Sequence, residues 1–81
     1  MGRPLKLHEF KRIMKRFAVD MTQNRGKSTH WTLAKHVAGV RRIYVIAVHK
    51  GEVKGIYVDK ARRRFDLRPE NGVSDDEFYG R

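Results

Sequence analysis

The sequence contains no cysteine and only two prolines in 81 residues. The first absence removes disulfide staples, thiol nucleophiles and thiolate-held zinc, and it argues against a small secreted scaffold. No apolar run approaches the roughly 18 residues that a membrane span needs, and no apolar leader follows Met1. The expectation is a soluble cytoplasmic chain with no membrane partner. The length leaves room for one domain, residues 1–81, and none for a separate cofactor-binding layer, so no cofactor is expected. Acid is also scarce: nine Asp and Glu stand against nineteen Lys and Arg, a formal charge of +10. With 40% hydrophobic residues the chain is too apolar for a disordered tail, yet thin for a large core.

The charge is unevenly placed. Residues 1–68 carry a balance of +13, whereas residues 69–81 carry −3, so the acidic C-terminal tail is a separate electrostatic piece. A basic body attracts polyanions and speeds their encounter. Nucleic acid is the leading partner class, with an acidic protein, or charge that serves only solubility, as the alternatives.

Leu7, Phe10, Met14 and Phe17 recur at helical spacing and predict a first helix over residues 5–17, with Lys6, Lys11, Arg12, Lys15 and Arg16 around its flanks and back. The polar stretch from Asp20 to Thr29 predicts a loop. Alternation from His30 to Val37 predicts a strand, and a turn follows at 38–40. Arg41 to His49, the most apolar and β-branched run, predicts a second, central strand. Lys50-Gly51 would turn the chain into a short third strand over 53–56. A second helix is predicted over 57–67, with Lys60, Arg62 and Arg63 pointing away from its apolar side. Ser74 would cap a last short turn, with Glu77 completing a capping box and Phe78 or Tyr79 pinning the tail. The order α-β-β-β-α predicts an α+β fold, with a three-stranded antiparallel sheet and both helices on one face.

Any acid–base chemistry near neutral pH falls to the four histidines. His8 and His36 suit plain surface roles. His30 follows Gly26-Lys27-Ser28-Thr29, a run that places backbone N–H groups, two hydroxyls and a cation around one imidazole. Such a group can take a proton from a ribose 2′-hydroxyl while its neighbours offset charge growing on a phosphate. The structural alternative is a histidine bonded to the loop backbone. If the two long strands pair through a turn at 38–40, His49 lies near residue 29 and therefore close to His30. Two imidazoles without a nearby carboxylate make a weak metal site, and no metal is expected. Gly26-Lys27-Ser28 is not a nucleotide-hydrolase phosphate loop, because position 21 is Met21 and a strand, not a helix, follows. Arg25, Lys27, Arg41, Arg42, Arg62 and Arg63 are the candidate contacts to RNA phosphates, with a solvated surface as the alternative. For Trp31 and Tyr44 core packing is the expected role and stacking on unpaired bases the alternative.

Taken together, the first helix, the Gly26 to His30 run leading into Trp31-Thr32-Leu33, the apolar strand ending at His49, Glu52-Val53-Lys54-Gly55 before a basic helix, and the closing Gly72-Val73-Ser74-Asp75-Asp76-Glu77-Phe78 resemble the HicA family of small mRNA interferase toxins. The resemblance implies a double-stranded-RNA-binding-domain-like fold, cleavage of mRNA without a required metal, and a HicB-type antitoxin that masks the site. It places the catalytic histidine on His30; Lys27, Ser28, Thr29 and His49 are the candidates for catalytic support that the loop chemistry and strand register give. The chain has Trp31 where the family often has a second histidine, and Ser28-Thr29 where a glycine-serine pair is usual. A non-cleaving RNA-binding or translation-regulating module of the same fold is the alternative.

Overall fold

In the computed structural model, which describes residues 2–26 and 29–80, two short turns organise the strands. Ala38–Gly39 and Lys50–Gly51 each place two consecutive residues at positive φ, 52° and 79° in the first and 53° and 72° in the second. Two such residues in sequence are what a type I′ hairpin turn requires, and its twist matches that of the strands it joins. The first turn joins β3 (His30–Val37) to β4 (Val40–Ala47). Val37 lies opposite Val40, and the ladder runs back to His30 opposite Ala47. The turn is one residue shorter than the 38–40 link expected, so Val48, not His49, lies level with Thr29 and donates to its carbonyl at 2.8 Å.

The second turn closes on itself, His49 and Glu52 each donating to the other's carbonyl at 3.0 Å. It leads into β5 (Glu52–Val53), which pairs with β1 (Leu5–Lys6) and not with β4. The strand expected over 53–56 therefore does not belong to the main sheet. Its place is taken by β2 (Asp20–Gln23), inside the stretch expected to be loop, and the sheet order β2-β3-β4 makes β3 central. β4 is an edge strand. It is apolar on both faces because Tyr44 and Ile46 point with Leu33 toward the helices, while Ile43 and Val45 share the opposite, uncovered face with His30, Thr32, Ala34 and His36 and remain 42% and 45% exposed.

The architecture is α+β: a three-stranded antiparallel sheet packed by α1 (Leu7–Arg16) and α2 (Gly55–Arg64). Phe10, Ile13 and Met14 of α1 meet Leu33 and Ile46 of the sheet and Val58, Ala61 and Phe65 of α2 in one core. Each large apolar side chain so buried contributes about 1.5–3 kcal/mol, so in a core this small every member matters. The two helices end alike. Val19 donates to Met14 O at 2.8 Å and Ala18 to Lys15 O at 3.1 Å, while Leu67 donates to Arg62 O at 2.7 Å and Asp66 to Arg63 O at 3.3 Å. Both are Schellman motifs with a buried Val19 or Leu67 beyond the cap, and both place a non-glycine residue in the left-handed region, Ala18 at φ 60° and Asp66 at 55°. This second cap ends α2 at Arg64, short of the 67 expected.

The buried stripe of α2 is Val58, Ala61, Arg62 and Phe65, so Arg62 points inward, against expectation. It is 5% exposed. Its guanidinium donates to Leu67 O at 2.8 Å, Val73 O at 3.2 Å and Asp75 Oδ1 at 2.8 Å, and lies 4.5 Å from the centroid of the Phe78 ring. It thereby ties down the tail, which forms a 3₁₀ turn (Pro69–Asn71) and α3 (Asp75–Tyr79). Ser74 caps α3 as expected, its Oγ accepting from Glu77 N at 3.0 Å. Phe78 is fully buried and stacks on Phe17 with 5.9 Å between centroids. Arg16 donates to the carbonyls of Glu77 and Phe78 at the far end of α3.

Two stability predictions follow from these contacts. Ala18→Gly removes the left-handed penalty at the α1 cap and should raise unfolding free energy by about 0.5–1 kcal/mol in urea denaturation; an unchanged or lower midpoint contradicts the cap assignment. Arg62→Ala leaves two carbonyls without their donor and should cost about 2–4 kcal/mol, with Arg62→Lys failing to restore it because an ammonium cannot span three acceptors. The Arg62 guanidinium also holds the Asp75 carboxyl below its ordinary range. That contribution is complete above the unfolded-state value and is lost as pH falls through the lower folded-state value, so α3 should loosen only in acid below about pH 4. Amide hydrogen exchange at Phe78 and Tyr79 measures it, and protection in α3 that does not fall in acid would contradict the linkage.

Candidate nucleic-acid interface and histidine site

His30 opens β3, and its carbonyl accepts from Asn24 N at 3.0 Å. The Thr32 hydroxyl donates to Asn24 Oδ1 at 2.7 Å, so Asn24 is anchored beside the uncovered face of the sheet. Because β2 precedes it, the Gly26 to Thr29 run links two paired strands and is not a helix-to-strand loop. Gly26 sits at φ 78°, a conformation that glycine adopts without strain. The expected contributions of Lys27 and Ser28 lie outside the described residues.

The bond from Val48 to Thr29 draws the 49–52 turn to the same end of the sheet, and Leu7 N donates to Gly51 O at 2.8 Å, bringing the N-terminus of α1 there as well. Thr29, His30, His49 and Lys50 are all exposed. His49 lies just beyond the ladder and is paired to Glu52, one residue past the place opposite Thr29 that was expected for it. Among the described residues no three of His, Asp or Glu gather as a candidate metal cradle.

The arginines nominated from sequence do not converge on this end. Arg25 is exposed in the link after β2 and is the only one of them near it. Arg41 lies opposite His36 at the far end of the ladder, six residues or about 20 Å from His30 along β3. Arg42 is occupied, donating to Asp66 Oδ1 at 3.0 Å and to Arg64 O at 2.9 Å. Arg63 is exposed and pairs with Asp59 at 3.5 Å. Arg62 must be withdrawn as an RNA contact: its guanidinium is buried and held inside the fold by Leu67, Val73 and Asp75, out of reach of a phosphate. Its inward position was encoded in the spacing 58, 61, 62, 65, which is a complete helical stripe.

The basic outer side expected of α1, whose residues were not nominated as RNA contacts, borders a groove. His8, Lys11, Arg12 and Lys15 form one wall of an open groove of about 460 Å³, with Val19, Asp20 and Met21 opposite. Their spacing of three, one and three residues is the same stripe pattern on the polar side of the helix. Lys11 Nζ lies 4.9 Å from the centroid of the Trp31 ring, joining this wall to the residue that follows His30. Trp31 and Tyr44 are half-buried against the core, as expected, and neither lies on the open sheet face as a stacking platform. Burial, together with neighbouring Tyr57, raises the Tyr44 hydroxyl above its ordinary value, which keeps it protonated.

Among the described residues no helix is long and apolar enough to cross a membrane. Searches with this chain return no matching family model, no matching curated protein and no matching solved structure.

Proposed function

We propose that this chain is a metal-independent endoribonuclease of the kind found in HicA-type toxins, cutting mRNA by histidine acid–base chemistry. The observation that supports the reading is that Thr29, His30, His49 and Lys50 are all exposed on two segments joined at one end of the sheet by the His30–Ala47 pairing and the Val48–Thr29 bond. In the reaction, His30 takes the proton of a ribose 2′-hydroxyl. The 2′-oxygen attacks the adjacent phosphorus, the bond from phosphorus to the 5′-oxygen breaks, and protonated His49 supplies a proton to that leaving oxygen. The products are a 2′,3′-cyclic phosphate and a 5′-hydroxyl. Lys50, with Lys27 and the hydroxyls of Ser28 and Thr29, offsets charge growing on the phosphate.

An acidic HicB-type antitoxin is the partner that fits this reading. A +13 body supplies the electrostatic attraction, and Ile43 and Val45 supply an apolar centre on the open face that also carries His30. A second reading, RNA binding without cleavage, is favoured by one observation: a concave, cation-lined feature follows α1, and His30 is not among its lining residues.

The test is incubation of purified protein with structured RNA in excess chelator. His30→Ala should lower the cleavage rate by roughly 10²–10⁴-fold, the usual worth of a general base, while retaining RNA affinity and an unchanged circular dichroism spectrum. Full cleavage by that variant overturns the role of His30. RNA binding without cleavage by the wild type selects the second reading.

A further inference from the structure

We propose that the groove between α1 and β2 is a track for the sugar–phosphate backbone of single-stranded RNA, leading the strand to His30. The proposal deepens the ribonuclease reading and rests on it only for the destination of the strand. It begins from a partition of charge. Four arginines on or beside α2 are ion-paired within the chain, Arg42 with Asp66, Arg62 with Asp75, and Arg63 and Arg68 with Asp59, while Lys54, Lys60 and Arg64 on that side form no ion pair among the described residues. Arg12 and Lys15 on α1 form no ion pair among the described residues, and both are exposed. Glu9 is turned to the helix start, where it accepts from Lys6 N at 3.1 Å, which leaves Asp20 as the single acidic residue lining the groove.

Geometry gives the track its direction. β2 follows α1 after the tight Phe17–Val19 link, so it runs back along the helix: Lys15 lies at the Asp20 end and His8 at the Gln23 end. Gln23 is opposite Trp31, and Lys11 covers that same ring, which puts the middle of the cationic wall beside the residue that follows His30 but on the helix side of the sheet, so the strand passes round the Gln23–Trp31 end of the ladder to reach His30 on the open face. From His8 to Lys15 the wall is about 10 Å long, enough for a short run of one backbone. Met21, half-buried beside Val19, gives the sugar an apolar floor. A duplex presents two backbones and needs a second bank of cations. The nominated arginines Arg41, Arg42, Arg62 and Arg63 are distant, paired or buried, so the groove itself has one bank of cations, which favours one strand.

The experiment measures binding of fluorescently labelled single-stranded RNA, and of a duplex of the same length, by anisotropy across a salt series. His30→Ala serves as the background so that the RNA stays intact. In that background Arg12→Gln with Lys15→Gln should weaken single-strand binding at least tenfold and reduce the log–log salt slope by about 1.4, two contacts at roughly 0.7 each. Lys54→Gln with Lys60→Gln, an equal change of charge on exposed residues of the α2 side, should change affinity less than twofold. Circular dichroism checks that both pairs remain folded. Equal loss in the two pairs, no loss in the first, tighter binding of duplex than of single strand, or no RNA binding at all overturns the track. Cleavage by otherwise wild-type protein is scored separately: binding through Arg12 and Lys15 without cleavage leaves the track standing and removes the nuclease reading.

Discussion

The turn at Ala38–Gly39 is the constraint on which the remaining arrangement depends. A side chain's face alternates with every residue along a strand, so a slip of one position between β3 and β4 would exchange the buried set for the open one. The two-residue turn pairs Val37 with Val40 and thereby sets Leu33 beside Tyr44 and Trp31 beside Ile46 on the covered face. It places His30 and Ala47 on the other face, with Thr29 against Val48 just past the ladder. Core and histidine site are two consequences of one register.

The elements legible in the sequence were those with a strong period. Leu7, Phe10 and Met14 mark α1, alternation marks β3, β-branched residues mark β4, and Ser74 marks the cap of α3. β2 was hidden because an edge strand with one half-buried methionine and three polar residues has the composition of a loop. β5 was overextended because the apolar residues after Val53 belong to the first turns of α2. The N-terminal Leu5–Lys6 fell within the expected helix bounds, since its partner Val53 lies 48 positions away and no local signal reports that pairing. At the site, pairing of the two long strands was legible but its register was one residue off, because the turn is two residues long and sets Val48, not His49, against Thr29. Which arginines are free was not legible, since that depends on where Asp59, Asp66 and Asp75 come to rest.

Those three aspartates explain how a chain of +10 forms a closed core. They meet the cations that α2 cannot avoid presenting, and Asp75 does so from the acidic tail, so the tail is a structural counter-ion as well as the carrier of Phe78. On α1, by contrast, Lys11, Arg12 and Lys15 are exposed and form no ion pair among the described residues, so the two helices present their cations differently.

That division of the surface is most directly examined by amide chemical-shift mapping of the His30→Ala protein titrated with short single-stranded RNA. The account predicts that the perturbed amides cluster on His8, Lys11, Arg12 and Lys15 and on Arg25, Gly26 and Thr29, with Arg62, Arg63 and the Ala38–Gly39 turn unmoved. Perturbations centred on Arg41, Arg42 and Arg63, or scattered without preference over both helices, would contradict it.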